Sequence, residues 1–267
     1  MDWTGWRFWR QRPGAKLDTV SRPRLDLGDA TPAFPVYAIG DVHGCIALLE
    51  EAEDRIAADI GLAAPSPAGV APLVVLLGDY VDRGPDSAAV LSHLARPCRH
   101  GLNRVALRGN HDEVFLNVLG DIDGLDDWIG FGGRETLLSY GIDIDHMTGR
   151  GRRDRAAIGE VLRESVPEAH VALLRSLPVS LRIGRHLFVH AGLRPGIPLD
   201  DQADEDLMWI REPFLSEHHG LPYTVVHGHT PVGVPVFAPG RIAIDTAAFA
   251  TGKLTVLKLD GDAARVL

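Results

Sequence analysis

Three times in the first half of the chain a short apolar run ends close to a glycine, and each time that glycine opens a cluster of polar residues. Val36-Tyr-Ala-Ile39 leads into Gly40-Asp-Val-His-Gly44, and Leu73-Val-Val-Leu-Leu77 into Gly78-Asp-Tyr-Val-Asp-Arg-Gly84. The third run, Asn103-Arg-Val-Ala-Leu107, is followed by Gly109-Asn-His-Asp112. Runs of this length read as strands buried on both faces, the kind a layered sheet provides. Between them apolar residues recur at helical spacing, as at Ile46, Leu49, Ala52, Ile56 and Ile60 before Gly61, and a second helix is expected over 87–96. The alternation predicts an α/β fold with its polar clusters at the C-terminal ends of the strands, where open α/β sheets place their ligands.

Beyond the third cluster the pattern becomes mostly helical over 113–178, with apolar spacing in 135–140, 157–162 and 170–177. Strand patterns return at 179–183, 186–189 and 223–226, and 234–259 reads as strands joined by turns at Pro239-Gly240 and Thr251-Gly252. Two further polar clusters, His190-Ala-Gly192 and Gly228-His-Thr230, follow strands of this second half. The organisation expected is an N-terminal arm over 1–33 and one domain over 34–267, with a helical lobe at 113–178. The arm interleaves Trp3, Trp6, Phe8 and Trp9 with Arg7, Arg10 and Arg12. Such a segment fits either peripheral contact with anionic lipid or docking on the body of the protein.

Composition excludes several classes. Two cysteines are too few for a disulfide framework or a thiolate zinc site. A net charge of -9 weighs against duplex nucleic acid as a partner. No apolar run reaches membrane-spanning length and no signal peptide is recognisable, so a cytoplasmic location is expected.

The clusters offer carboxylates, an amide and imidazoles without thiolates. Asp41 and His43, two apart on an extended stretch, leave the same face and fit one cation. Asp79 is the candidate bridge to a second cation, with Asn110, His190 and His229 completing that site. Mixed oxygen and nitrogen donors favour manganese, iron or zinc over calcium. Two such ions would share and deprotonate a water and clamp a phosphate.

The five clusters, in this order, resemble the phosphoprotein phosphatase family of calcineurin-like binuclear metallophosphoesterases, in its bacterial and phage-lambda serine/threonine branch. The resemblance runs from about Val36 to near the C-terminus and implies two mixed β-sheets in a sandwich flanked by helices. It implies that Asp41, His43 and Asp79 hold one divalent ion, manganese for preference, and that Asp79, Asn110, His190 and His229 hold the other. It makes His111 the general acid, with Asp82 orienting it, and assigns Arg83, Arg211 and Asn110 to the substrate phosphate. Asp82, Gly228-His-Thr-Pro231 and Phe131-Gly-Gly-Arg-Glu-Thr136 resemble the bacterial protein phosphatases. Asp112, His190-Ala-Gly192 and Ala247 depart from the wider pattern without removing a ligand.

The activity implied is hydrolysis of phosphoserine and phosphothreonine monoesters by a hydroxide bridging the ions. The alternatives are a symmetrical dinucleoside polyphosphate or polyphosphate hydrolase and a non-catalytic phosphoprotein-binding scaffold. His227 is expected beside the ligands rather than among them, and the acidic run from Asp200 to Asp206 is expected to be a solvated loop. The expected partner is a phosphoprotein or small phosphoester; oligomeric state is open.

Overall fold

A computed structural model describes residues 22–62, 72–144 and 155–267. The tryptophan- and arginine-rich part of the arm lies outside the described residues. In chain order the strands are β1 (Arg24–Asp26), β2 (Val36–Ile39), β3 (Leu73–Leu76), β4 (Asn103–Ala106), β5 (Ser180–Ile183), β6 (His186–Val189), β7 (Thr224–His227), β8 (Val236–Ala238), β9 (Arg241–Ala243), β10 (Val256–Asp260) and β11 (Ala263–Val266). They form a five-stranded sheet, β11-β10-β2-β3-β4, and a six-stranded sheet, β1-β5-β6-β7-β9-β8. Both are mixed: β2, β3 and β4 run parallel while β10 is antiparallel to β2, and β6, β7 and β9 run parallel while β5 is antiparallel to β6.

The period-two rule decides which side chain enters which layer. On β2 and β3, Val36, Ala38, Leu73 and Val75 meet Leu181, Phe188, Val226 and Ile242 of the other sheet, forming the core between the sheets. The alternate residues Tyr37, Ile39, Val74 and Leu76 face helices on the outside. This is why the strands read as unbroken apolar runs: each buries both faces.

The helices are α1 (Ile46–Leu62), α2 (Ser87–Leu94), α3 (Asn110–Gly120), α4 (Leu125–Trp128), α5 (Arg134–Ser139), α6 (Arg155–Ser165), α7 (Glu168–Ser176), α8 (Asp204–Trp209) and α9 (Ala248–Thr251). A π-helical turn, Ile129–Gly133, joins α4 to α5. The region 113–178 is helical, as expected, but α3 begins at Asn110, so the third polar cluster forms its first turn.

Three expectations need correction. Residues 24–26, grouped in the sequence with the arm, are an edge strand pairing in parallel with β5. Thr251-Gly252 closes the short helix α9, with Gly252 in the left-handed region, rather than a turn between strands. The acidic run is not merely solvated: Asp204 pairs with Arg24 at 2.6 Å and Asp206 with Arg194 at 2.6 Å.

Candidate active site

Each polar cluster leaves a strand or enters a helix, and the chain must turn sharply there. Of the seven non-glycine residues with positive φ among those described, five are His43, Asp79, Asp82, Arg83 and His229. Such conformations are held against local strain by their surroundings, and they concentrate at functional sites. The surroundings here are other loops. The His43 N–H donates to the Asp79 carbonyl at 2.7 Å and the Gly44 N–H to that of Tyr80 at 3.0 Å, lacing the first cluster to the second. The third is tied in by the His111 N–H, which donates to Asp79 Oδ1 at 3.0 Å. His229 closes the ring, its N–H donating to Asp41 Oδ2 at 2.9 Å. Approach this close excludes side chains at two glycines. A Cβ on Gly228 would lie 1.9 Å from Asp41 Oδ1, and one on Gly109 2.2 Å from the Asp79 nitrogen.

Asp41, His43, Asp79, Asn110, His190 and His229 are brought together and all are buried. Among the described residues, two groups of side chains could each hold a cation: His43, Asp79 and His111, and Asp79, His190 and His229. Asp79 belongs to both. Asp41 stands beside them with Oδ1 buried and without a hydrogen-bond partner.

The donor set fits metal ions on its own chemistry. His43 Nδ1 lies 2.9 Å from the Val81 carbonyl and His190 Nδ1 2.9 Å from the Leu77 carbonyl, so each donates there and turns its Nε2 inward. Apart from Arg83 Nη1, 3.4 Å from His43 Nε2, what the ring nitrogens meet are acceptors: Asp79 Oδ2 is 3.5 Å from His43 Nε2, and Asn110 Oδ1 is 2.8 Å from His190 Nε2 and 2.9 Å from His229 Nδ1. Inward-facing lone pairs on nitrogen and oxygen repel unless a positive charge lies between them. The charges around these groups point the same way. Burial opposes charge on His190, yet Asp79 and Asp41 outweigh it and raise its pKa to about 9, a proton standing where a cation would. Burial, followed by Asp245, pushes Asp41 up, whereas His190 and His111 outweigh burial at Asp79 and hold it well below the usual carboxylate range.

A second assembly adjoins the first. His111 Nδ1 lies 2.7 Å from Asp82 Oδ2, with both side chains fully buried. Burial pushes Asp82 up to about 7 and His111 down to about 3, so each is driven toward its neutral form. Arg83 places Nη1 3.4 Å from His43 Nε2, with its guanidinium 5.2 Å from the Phe249 ring centre and 5.9 Å from that of Phe131. Arg211, at the end of α8, lies 3.5 Å from the His229 carbonyl, and burial and the positive charge of Arg83 both lower its pKa. Two guanidinium groups beside buried imidazoles have the charge and the donors to take an anion.

His227 is not in either cation group; its ring packs edge-on against Phe214, 5.1 Å away, on the outer face of the six-stranded sheet. Strand alternation carries it there with Val225, while His229 lies beyond the strand on a left-handed turn. Two residues carry more than the sequence reading saw. Asp112 accepts the backbone N–H groups of Asp79, Tyr80 and Gly109 at 2.8 to 2.9 Å, clamping the second cluster to α3. Its position at N3, three residues after Gly109, is a capping pattern that could have flagged it. Asp245 is a further buried carboxylate bearing on Asp41 and Asp79, with no motif to announce it.

Residues 34–251 match the calcineurin-like phosphoesterase family, and the chain belongs to it. A serine/threonine-protein phosphatase 1 of Salmonella typhimurium is 28% identical over 233 residues, covering 84% of this chain and 91% of that one. A bis(5'-nucleosyl)-tetraphosphatase PrpE of Bacillus thuringiensis, designated asymmetrical, is 23% identical over 237 residues, covering 82% and 88%. A crystal structure of a candidate diadenosine tetraphosphatase superposes with a TM-score of 0.62 at 23% identity, covering 92% of this chain and 97% of that one, and shares the fold. The protein is thus a metallophosphoesterase, and the two sequence relatives just described carry different substrate names. Among the described residues no helix is long and apolar enough to cross a membrane.

Proposed function

We propose that the protein hydrolyses phosphoserine and phosphothreonine monoesters, with two divalent ions, manganese for preference, held by Asp41, His43, Asp79, Asn110, His190 and His229. When bound, such ions neutralise phosphate charge and lower the pKa of water. The protein's own contribution falls to the other residues. Arg83 and Arg211 orient a terminal phosphate through their planar forks, with the Asn110 amide beside it. His111, braced through Nδ1 by Asp82 and held as imidazolium when the dianionic phosphate sits beside it, offsetting the burial that otherwise keeps it neutral, delivers a proton to the departing alkoxide, which leaves poorly without one. The observation that carries this reading is the His111–Asp82 pair set at 2.7 Å, with Arg83 against His43 and Arg211 against His229 beside it. A non-catalytic scaffold would have no use for a buried proton donor.

A second reading has its own support. Phe131 and Phe249 flank Arg83, and Trp209 lies 6.0 Å from Phe131, an aromatic surface on which a nucleobase would stack. The nucleotide-hydrolysing relative is asymmetrical, so this alternative now favours unequal products over the symmetrical cleavage expected from sequence. Full-length protein is stripped with chelator, reconstituted with manganese, and assayed on a phosphothreonine peptide and on diadenosine tetraphosphate. A higher kcat/KM for the peptide is expected. A tenfold or greater preference for the dinucleotide would overturn the first reading, and full activity in chelator with no bound metal would overturn both.

A further inference from the structure

The run Phe131-Gly-Gly-Arg-Glu-Thr136 has no part in the monoester chemistry assigned above, yet with Trp128 it touches Asp82 and Arg83 of the second cluster and the acid itself. Thr136 Oγ1 donates to Asp82 Oδ1 at 2.7 Å and accepts the N–H of the same Asp82 at 2.8 Å, gripping side chain and backbone together. Trp128 Nε1 lies 3.0 Å from both carboxylate oxygens. Between them these donors fix the plane of the carboxylate and leave Oδ2 directed at His111. Phe131 lies flat on the His111 ring, centres 3.9 Å apart and planes 7° from parallel. The Gly132 carbonyl accepts the Arg83 N–H at 3.0 Å.

The two glycines are explained by the same contacts. Gly132 has φ 121°, open to glycine and strained for other residues. A Cβ on Gly133 would enter the Trp128 indole, 2.2 Å from Cε2, so the glycine lets the ring lie close enough for Nε1 to reach Asp82. Both Trp128 and Thr136 are fully buried, and neither has a route to substrate.

We infer that Trp128 and Thr136 are positioning residues for proton donation, and that the π-helical turn between them is the mount holding Asp82, and through it His111, in line with the departing oxygen. The inference rests on the reading of His111 as the acid. Its consequence is specific. A misaimed acid slows departure of a poor leaving group and matters little for a good one, whereas damage to the metal cluster or to folding slows both.

The test uses full-length, metal-reconstituted protein with metal content and cooperative thermal unfolding checked for each variant. Turnover is measured on an alkyl phosphate and on an aryl phosphate with an acidic phenol. Thr136→Val should lose about ten- to hundredfold in kcat on the alkyl substrate, the worth of hydrogen bonds to a charged group, with less than about threefold on the aryl one and KM unchanged. Thr136→Ser, which keeps the hydroxyl, should restore the alkyl rate. Trp128→Phe should repeat the selective loss, providing a second route if Thr136→Val does not fold. His111→Asn is the reference. If it shows the alkyl-selective loss while Thr136→Val and Trp128→Phe lose equally on both substrates, the mount is overturned and the acid stands. If His111→Asn itself lacks that selectivity, the acid assignment falls and the mount with it.

Discussion

The cluster around Asp79 and the Asp82–His111 pair lie side by side, yet they are held by different means. Around Asp79 the ligand side chains are fixed by main chain: Asp41 and Asp79 accept N–H groups from other loops, and His43 and His190 face carbonyls. Asp82 and His111 are fixed by side chains of one neighbouring segment, through Trp128, Thr136 and the Phe131 ring. Main-chain partners persist when residues are exchanged, whereas side-chain partners are lost with a single substitution. The proposed metal cluster should therefore resist neighbouring mutations that detune proton transfer, and the two halves should fail independently.

The largest effect expected is from Asp79→Asn, which weakens the carboxylate common to both cation groups and should abolish turnover together with most bound metal, read by elemental analysis. His111→Asn should cost about 10² to 10⁴ in turnover on an alkyl phosphate while both metals stay. Metal loss in that variant equal to that in Asp79→Asn would break the separation of the two halves. Arg211→Ala should lower kcat/KM for a phosphopeptide about ten- to hundredfold, with metal content unaltered. An unchanged kcat/KM would remove Arg211 from the anion site. The smallest effect concerns neither half directly. Ala247 holds φ 50°, a conformation that costs an alanine about 1 to 2 kcal/mol, part of which glycine regains. Ala247→Gly should raise stability by about 0.5 to 1 kcal/mol in urea unfolding. A fall instead would mean that its methyl group packs to advantage.

The same division explains what could be read from sequence. Strand β2 coincides with the run from Val36 to Ile39 and β3 stops one residue short of its own, because residues buried on both faces leave an unmistakable pattern; β4, only partly buried, also stops one residue short. The six proposed ligands, which the fold brings together, stood out because metal chemistry favours a few residue types, five of the six here next to glycine. Trp128 and Thr136 did not, since a tryptophan or threonine inside a helical lobe looks the same whether it fills space or aims a carboxylate. Strand β1 escaped as well: Arg24-Leu-Asp26 is too short for any period, and its place follows from pairing with β5 and from Arg24 reaching Asp204. The direction of His227 needed the sheet itself, because only the turn after β7 separates it from His229.

The position of β10 bears on how the molecule comes into being. Val256 pairs with Ile39, so the strand that flanks β2 on its second side comes from the far end of the polypeptide. Asp41 follows β2 by two residues and is capped by His229, also from the far end. Pairings so distant in sequence close large loops before they are rewarded, which makes folding slow. A nascent chain emerging from the ribosome would have its first two polar clusters exposed long before their partners exist. The ligand cage thus forms only once both ends of this pairing exist, and a chain stalled or cleaved before β6 would carry Asp41, His43, Asp79 and Asn110 without His190 and His229, half a cage that no local refolding could finish.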